Sequence, residues 1–248
     1  MLKSYAITDI GRKRQLNQDF VFFSEKPVGN LRNVFIVADG MGGHNAGDYA
    51  SRYAVDTIVE EIAFSRESDP RAILQRAIEK ANENTRRKAE ENIIYAGMGT
   101  TVVIATLSDK HLEVANVGDS RLYLVNDEIV QITIDHSLVE EMIRMGGLDR
   151  ASARNHPDKN IITRAIGARD YIEVDFFSLE WKPGDLVLLC SDGLTNMVED
   201  EEIYRILHSE GTLKDRAEEL VRTANHNGGK DNISVIIIEP SLDEVEHD

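Results

Sequence analysis

The sequence is short of several things, and each shortage removes a class of function. One cysteine, Cys190, is present in 248 residues. A single thiol excludes an intrachain disulfide framework and a cysteine-based zinc site, and it fits a reducing compartment. Basic charge is scarce: 28 Lys+Arg stand against 44 Asp+Glu, a formal net charge of −16. Such a chain has no general attraction for nucleic acid or an anionic membrane. Long apolar runs are missing too. Stretches such as Leu186–Cys190 and Val235–Ile238 fall far short of the roughly 20 residues that span a bilayer. Lys3, Asp9, Arg12, Lys13 and Arg14 interrupt any apolar signal segment at the N-terminus. The expectation is a cytoplasmic protein with no membrane and no nucleic-acid partner. Several catalytic motifs are also absent. Gly228-Gly229-Lys230 runs into Asp231 and lacks the upstream Gly of a phosphate loop. There is no His-Glu-x-x-His, no Gly-x-Ser-x-Gly and no EF-hand spacing. These gaps weaken the nucleotide-switch, zinc-protease, serine-hydrolase and calcium-sensor readings.

What is there suffices for a core: 42% of the residues are hydrophobic, which excludes a disordered chain. No repeat, low-complexity segment or linker interrupts it. We expect one domain over residues 1–240 and an acidic tail over 241–248. Strands are expected at Lys3–Thr8, Asp19–Ser24 and Asn33–Ala38, the last nearly all apolar and so buried on both faces. A helix follows from Ala46 to Phe64, with Ala50, Ala54, Ile58 and Ile62 forming one stripe. A second runs from Asp69-Pro70, an N-cap followed by proline at the first helical position, to Glu91. Next come strands at Thr100–Leu107, His111–Val117, Arg121–Val125 and Ile129–Thr133, joined by short polar turns that suit antiparallel meanders. A short helix spans Ser137–Met145. Residues 146–170 show no clean period. Strands return at Ile172–Leu179 and Asp185–Cys190, helices at Asp200–Ser209 and Leu213–Asn225, and a last strand at Ile233–Ile238. Two packed sheets with helices outside satisfy that order.

Aspartates at strand ends stand out: Asp19, Asp39, Asp119, Asp192 and Asp231, most of them beside glycine. A buried strand ending in Asp holds a carboxylate on a rigid frame. A neighbouring Gly lets backbone approach closely and offers a carbonyl. Hard oxygen ligands suit Mg²⁺ or Mn²⁺, and clustered carboxylates repel one another unless cations lie between them. Each Asp-Gly taken alone is a turn before it is anything else. Periodicity says nothing of whether the five converge.

Eight segments carry a resemblance in order: Arg14-x-x-Asn17-Gln18-Asp19, Ala38-Asp39-Gly40-Met41-Gly42-Gly43-His44, Gly97-Met98-Gly99-Thr100-Thr101, Ala115-Asn116-Val117-Gly118-Asp119-Ser120-Arg121, Asp135-His136-Ser137, Thr163-Arg164-Ala165-Ile166-Gly167, Ser191-Asp192-Gly193-Leu194-Thr195 and Gly229-x-Asp231-Asn232-Ile233-Ser234. Together they resemble the metal-dependent serine/threonine protein phosphatases of the protein phosphatase 2C type, bacterial branch, over residues 4–238. The resemblance implies an α+β fold, a β-sandwich of two mostly antiparallel sheets flanked by helix pairs in four α-β-β-α layers, with a flap near the site at about 146–170. It implies hydrolysis of phosphoserine and phosphothreonine in proteins by hydroxide that two or three Mn²⁺ or Mg²⁺ ions generate. Asp39 matches the bridging ligand of two metals, with the Gly40 carbonyl as a further contact. Asp192 and Asp231 match the other ligands of the first metal, and Asp119 with Asp192 a third-metal site. Asp19 matches a residue holding metal-bound water, and Arg14 the grip on the substrate phosphate, which its planar fork suits.

Two departures matter. Where many eukaryotic members have His directly after Asp-Gly as the acid for the leaving group, this chain has Met41. His44 is the nearest titratable candidate, set against a plain role opening the helix and against metal-bound water as the acid. Gln18 stands where Glu is common. Residues 146–170 carry Arg150, Arg154, Lys159, Arg164 and Arg169 against Asp149, Asp158 and Asp170, which suggests phosphopeptide docking. Cys190 reads as a buried small hydrophobe, Trp181 as packing at a turn and His136 as structural. The resemblance further implies an opposing bacterial Ser/Thr protein kinase, and nothing points away from a monomer. The alternative reading is a catalytically silent domain of the same fold, acting as a binding or regulatory module. Acidity disfavours a third, a two-metal nuclease.

Overall fold

The computed structural model of the chain describes residues 2–43, 46–108, 110–154 and 156–240, so the expected tail at 241–248 lies outside the described residues. In chain order the elements are β1 (Lys3–Asp9), β2 (Asp19–Ser24), β3 (Val34–Met41), α1 (Ala46–Phe64), α2 (Pro70–Glu91), β4 (Gly99–Thr100), β5 (Val102–Leu107), β6 (His111–Val117), β7 (Arg121–Val125), β8 (Ile129–Gln131), α3 (Leu138–Arg144), α4 (Arg150–Ala153), β9 (Asp175–Glu180), β10 (Leu186–Cys190), α5 (Asp192–Thr195), α6 (Asp200–Leu207), α7 (Leu213–His226) and β11 (Ile233–Glu239). One sheet has the order β1-β11-β10-β7-β8. The other has β2-β3-β5-β6-β9, with β4 paired to β3. Every paired strand runs antiparallel to its neighbour.

Three apolar layers hold the stack together. Phe35, Val37, Val103, Val114, Val187, Leu189 and Ile236 fill the space between the two sheets. On the outer face of the second sheet, Ile36, Val102 and Ile104 meet Ile58, Ile62, Leu74 and Ile78 of α1 and α2. On the outer face of the first, Leu188, Val235 and Ile237 meet Leu194, Ile203, Leu207 and Leu220 of α5, α6 and α7. Alternate residues of β3 therefore serve two different layers, which explains its unbroken apolar run. The result is the expected four-layer α-β-β-α arrangement.

Local chemistry sets the element ends. Asp69 accepts from the Arg71 and Ala72 N–H groups and starts α2. Thr212 and Asp215 form a capping box on α7. Several boundaries depart from the sequence pattern. The expected strand Thr100–Leu107 breaks at Thr101, because its N–H and hydroxyl turn to Asp39. The strand expected over Ile129–Thr133 ends at Gln131, where the Thr133 hydroxyl takes the Leu122 N–H in place of a ladder bond. Residues 172–174 lie before β9, with Ile172 and Val174 packed onto the α1–α2 layer. Residues 146–170 are not wholly irregular: they contain α4, capped by Asp149. The four-residue α5 is too short to leave a period.

Candidate active site

Antiparallel register places the first two carboxylates side by side: Asp19 at the start of β2 lies opposite Asp39 near the end of β3. Asp119 sits in the turn between β6 and β7, Asp192 opens α5 directly after β10, and Asp231 precedes β11. Asp39, Asp119, Asp192 and Asp231 line one hollow of about 260 Å³ with Arg14, Gln18, Gly40 and Met41. Asp19 is buried behind that wall. Asp119 and Asp192 also line a second groove of about 620 Å³, together with Arg150, Arg154, Lys159, Glu199, Asp200 and Glu201. Of the expected ligands and catalytic groups, Arg14, Asp39, Gly40, Asp119, Asp192 and Asp231 line the hollow, and Asp19 lies beside Asp39 in the sheet. His44 lies outside the described residues.

Hydroxyls and amides frame these acids. The Asp39 N–H donates to Thr101 Oγ1 at 3.0 Å, and the Asp39 C=O accepts from Thr100 Oγ1 and the Thr101 N–H, both at 2.9 Å. Ser191 Oγ donates to Asp19 Oδ2 at 2.7 Å and accepts from the Ser234 N–H at 3.0 Å. Asn196 Nδ2 donates to Asp192 Oδ2 at 2.8 Å. Asn232 staples the loop that carries Arg14: its amide donates to the Ile10 and Leu16 carbonyls, each at 3.0 Å, and its Oδ1 accepts from the Gln18 N–H at 2.8 Å. Sequence reasoning assigned no role to Thr101, Ser191 or Asn232. For Ser191 and Asn232 the signal was their place next to Asp192 and Asp231; Thr101 lies far from any of these aspartates in the chain and left no such signal. Two glycines are sterically required: a Cβ on Gly40 would lie 2.0 Å from the Gly47 carbonyl oxygen, and one on Gly193 would lie 1.8 Å from that of Asn232.

The electrostatics are those of crowded anions. Burial first, then the fields of Asp192 and Asp231, push the Asp19 carboxyl up to about 7 against hydrogen bonds from Ser191 and Ser234. Burial, then Asp231, pushes Asp192 up to about 6. Burial and neighbouring carboxylates lift Asp39 and Asp119 well above the usual carboxylate range. Arg14 Nη2 donates to Asp231 Oδ2 at 2.7 Å, which holds the guanidinium's pKa above its ordinary value.

The residues fit hard divalent cations. Asp19 Oδ1 and Asp192 Oδ1 are buried without a hydrogen-bond partner, an arrangement that costs free energy unless a cation answers it. The donors are carboxylate and carbonyl oxygens, with no thiolate or imidazole among the hollow's lining residues, as magnesium or manganese requires. Arg14 occupies Asp231, and among the described residues no three His, Cys, Asp or Glu side chains close around a single point.

The basic residues of 146–170 behave differently from their sequence count. Arg150 pairs with Glu140 at 3.1 Å, Arg154 with Glu199 at 2.6 Å, and Arg164 with Asp175 at 2.9 Å and Glu173 at 3.3 Å. Pairing spends most of the local positive charge. Lys159 stays within the field of Asp192. Asn160 and Ile162 reach the hollow itself.

The family described as protein phosphatase 2C matches residues 10–236. The chain is 43% identical over 240 residues to serine/threonine phosphatase stp of Listeria innocua, covering 95% of this chain and 94% of that one. The crystal structure of serine/threonine phosphatase Stp1 from Staphylococcus aureus superposes with a TM-score of 0.91 at 36% identity, covering 97% of this chain and 96% of that one. The catalytic domain of serine threonine protein phosphatase PstP, solved in complex with 2 manganese ions, gives a TM-score of 0.85 at 30% identity, covering 96% of this chain and 97% of that one. No helix among the described residues is long and apolar enough to cross a membrane.

Proposed function

The chain belongs to the protein phosphatase 2C family, and from that premise we propose that it hydrolyses phosphoserine and phosphothreonine in proteins with the help of two or three Mn²⁺ or Mg²⁺ ions. The observation that carries this reading is the meeting of Asp39, Asp119, Asp192 and Asp231 with Arg14 around one hollow. Asp39 with the Gly40 carbonyl, Asp192 and Asp231 are the groups we assign to the first two ions, and Asp119 with Asp192 to a third. Bound ions supply charge neutralisation at the phosphoryl group and a water made acidic enough to react near neutral pH.

The chain's own residues do the rest. Arg14 is half-exposed at the rim, with 49% of its side chain accessible, so its fork can turn from Asp231 to two phosphoryl oxygens. Asp19, fixed by Ser191, offers its unpartnered oxygen as a proton acceptor at the back of the site. Thr100 and Thr101 hold the Asp39 backbone, which fixes the point from which its carboxylate extends into the hollow. The only thiol, Cys190, is buried in the α5–α7 layer with its pKa pushed upward by burial. It cannot serve as a nucleophile, which agrees with direct attack by water.

Residues 1–240 act in this reading as one phosphatase domain, working in the cytoplasm opposite a bacterial Ser/Thr protein kinase. The groove beside the hollow receives the phosphoprotein chain, with Lys159, which has no ion pair among the described residues, on its lining. The complete acid set with Arg14 leaves the silent-module alternative without an observation in its favour. The test is release of phosphate from a phosphothreonine peptide and from an aryl phosphate, each with Mn²⁺ and with excess chelator. Mn²⁺-dependent release that chelator abolishes is expected. Release that survives chelator refutes the metal assignment, and none with any divalent ion refutes the activity.

A further inference from the structure

One residue grips the peptide that aims Asp119. The Gly118 N–H donates to His136 Nδ1 at 3.0 Å, and the Gly118 C=O accepts from the His136 N–H at 2.9 Å. Gly118 has φ +112°, and a Cβ there would lie 2.5 Å from the Thr101 side chain. Only glycine fits, and Asp119 follows it directly. Because Nδ1 accepts, the ring proton is on Nε2. That nitrogen stands 3.0 Å from Asp175 Oδ2 at the start of β9. Asp175 Oδ1 in turn accepts from Arg164 Nη1 at 2.9 Å, and the Thr163 N–H donates to the His136 carbonyl at 2.8 Å. One imidazole, in a residue only 6% exposed, thus joins the Asp119 turn, the edge of β9 and the returning end of the 146–170 segment. Burial lowers its pKa, which favours the neutral ring that this geometry needs.

We propose that His136 is a positioning residue with divided duties: Nδ1 sets the aim of Asp119, and Nε2 with Asp175 anchors the flap. This rests on the assignment of Asp119 to a metal ion. A merely structural histidine would affect both duties alike, whereas divided duties can be separated by substitution. In His136→Asn the amide oxygen replaces the Nδ1 acceptor, and contact with Asp175 is lost. In His136→Gln the longer amide reaches toward Asp175, and the Gly118 N–H loses its acceptor.

The experiment is calorimetric titration of Mn²⁺ into chelator-stripped protein, with kcat and KM for an aryl phosphate and a phosphothreonine peptide alongside. His136→Gln is expected to weaken the Mn²⁺ site assigned to Asp119 by about 10–100-fold, the usual cost of losing a group that orients a ligand, and to leave the two ions assigned to Asp39, Asp192 and Asp231 binding as in the parent. His136→Asn is expected to bind Mn²⁺ like the parent, while its KM rises for the peptide and not for the aryl phosphate. Equal loss of Mn²⁺ affinity in both variants, or in neither, overturns the proposal. Asp119→Asn is the control: unchanged Mn²⁺ binding there would overturn the assignment of Asp119, a separate failure. Should melting curves show that either His136 variant does not fold, Asp175→Ala decides. It removes the acceptor of Nε2–H and leaves the Gly118 contact intact, so parent-like Mn²⁺ affinity with a raised peptide KM supports the division. Loss of Mn²⁺ affinity in Asp175→Ala refutes it.

Discussion

Asp19→Asn should make the metal-free protein more stable at alkaline pH and the metal-loaded protein less so. In the folded chain the Asp19 carboxyl keeps its proton up to about 7, against an ordinary 3.8. Between those values the folded state binds more protons than the unfolded state, so stability falls as pH rises from about 4 and the penalty is complete above about pH 7. A gap of this size corresponds to about 4 kcal/mol. Asp192, pushed up to about 6, acts in the same direction. Asparagine keeps an oxygen to accept from Ser191 Oγ and places an amide N–H where Asp19 Oδ1 now lacks a partner. In chelator at pH 8 the variant should therefore melt higher by on the order of 5 °C or more. With saturating Mn²⁺ the order should reverse, because tighter ion binding adds more stability to the parent. The assay is thermal unfolding of both proteins from pH 5 to 8, with chelator and with Mn²⁺. A chelated parent whose melting temperature does not fall over that range, or a variant that falls as steeply, would refute the electrostatic reasoning.

Two further outcomes follow from the same geometry. Arg14→Lys should lower kcat/KM by about 10–100-fold, because an ammonium cannot present the planar fork, while stability changes by under about 1 kcal/mol since the Asp231 pair is part-exposed; unchanged kcat/KM would contradict the assigned grip on phosphate. Gly40→Ala should cost about 3 kcal/mol or more in chemical denaturation, because its Cβ meets backbone oxygen at 2.0 Å. Gly43→Ala, with nothing within 4 Å, should be near neutral, and equal costs at the two positions would undo the steric account.

The frame was legible where local chemistry decides structure. Asp69-Pro70 announced α2, the apolar run before Asp39 announced a strand buried on both faces, and the strand-end aspartates announced the candidate ligands. Convergence was not legible, because it depends on pairings far apart in sequence. Asp19 meets Asp39 through sheet register, and Asp19 meets Ser191 across 172 positions. Asn232 likewise reaches back to Ile10 and Leu16. The charge count of residues 146–170 misled for a related reason. It summed that segment alone, whereas Arg150 and Arg154 pair with Glu140 and Glu199 outside it.

The account stands or falls on the carboxylates acting together through bound cations, and Asp39 is the one assigned to two ions at once. The most direct measurement is the rate of phosphothreonine-peptide hydrolysis by parent and Asp39→Asn at saturating Mn²⁺, with melting curves to show that both are folded. The parent should turn over and the variant, folded but lacking the shared carboxylate, should lose at least about a thousandfold in kcat, of the order expected when a main source of transition-state electrostatic stabilisation is removed. A folded Asp39→Asn that hydrolyses the peptide at close to the parental rate would contradict it.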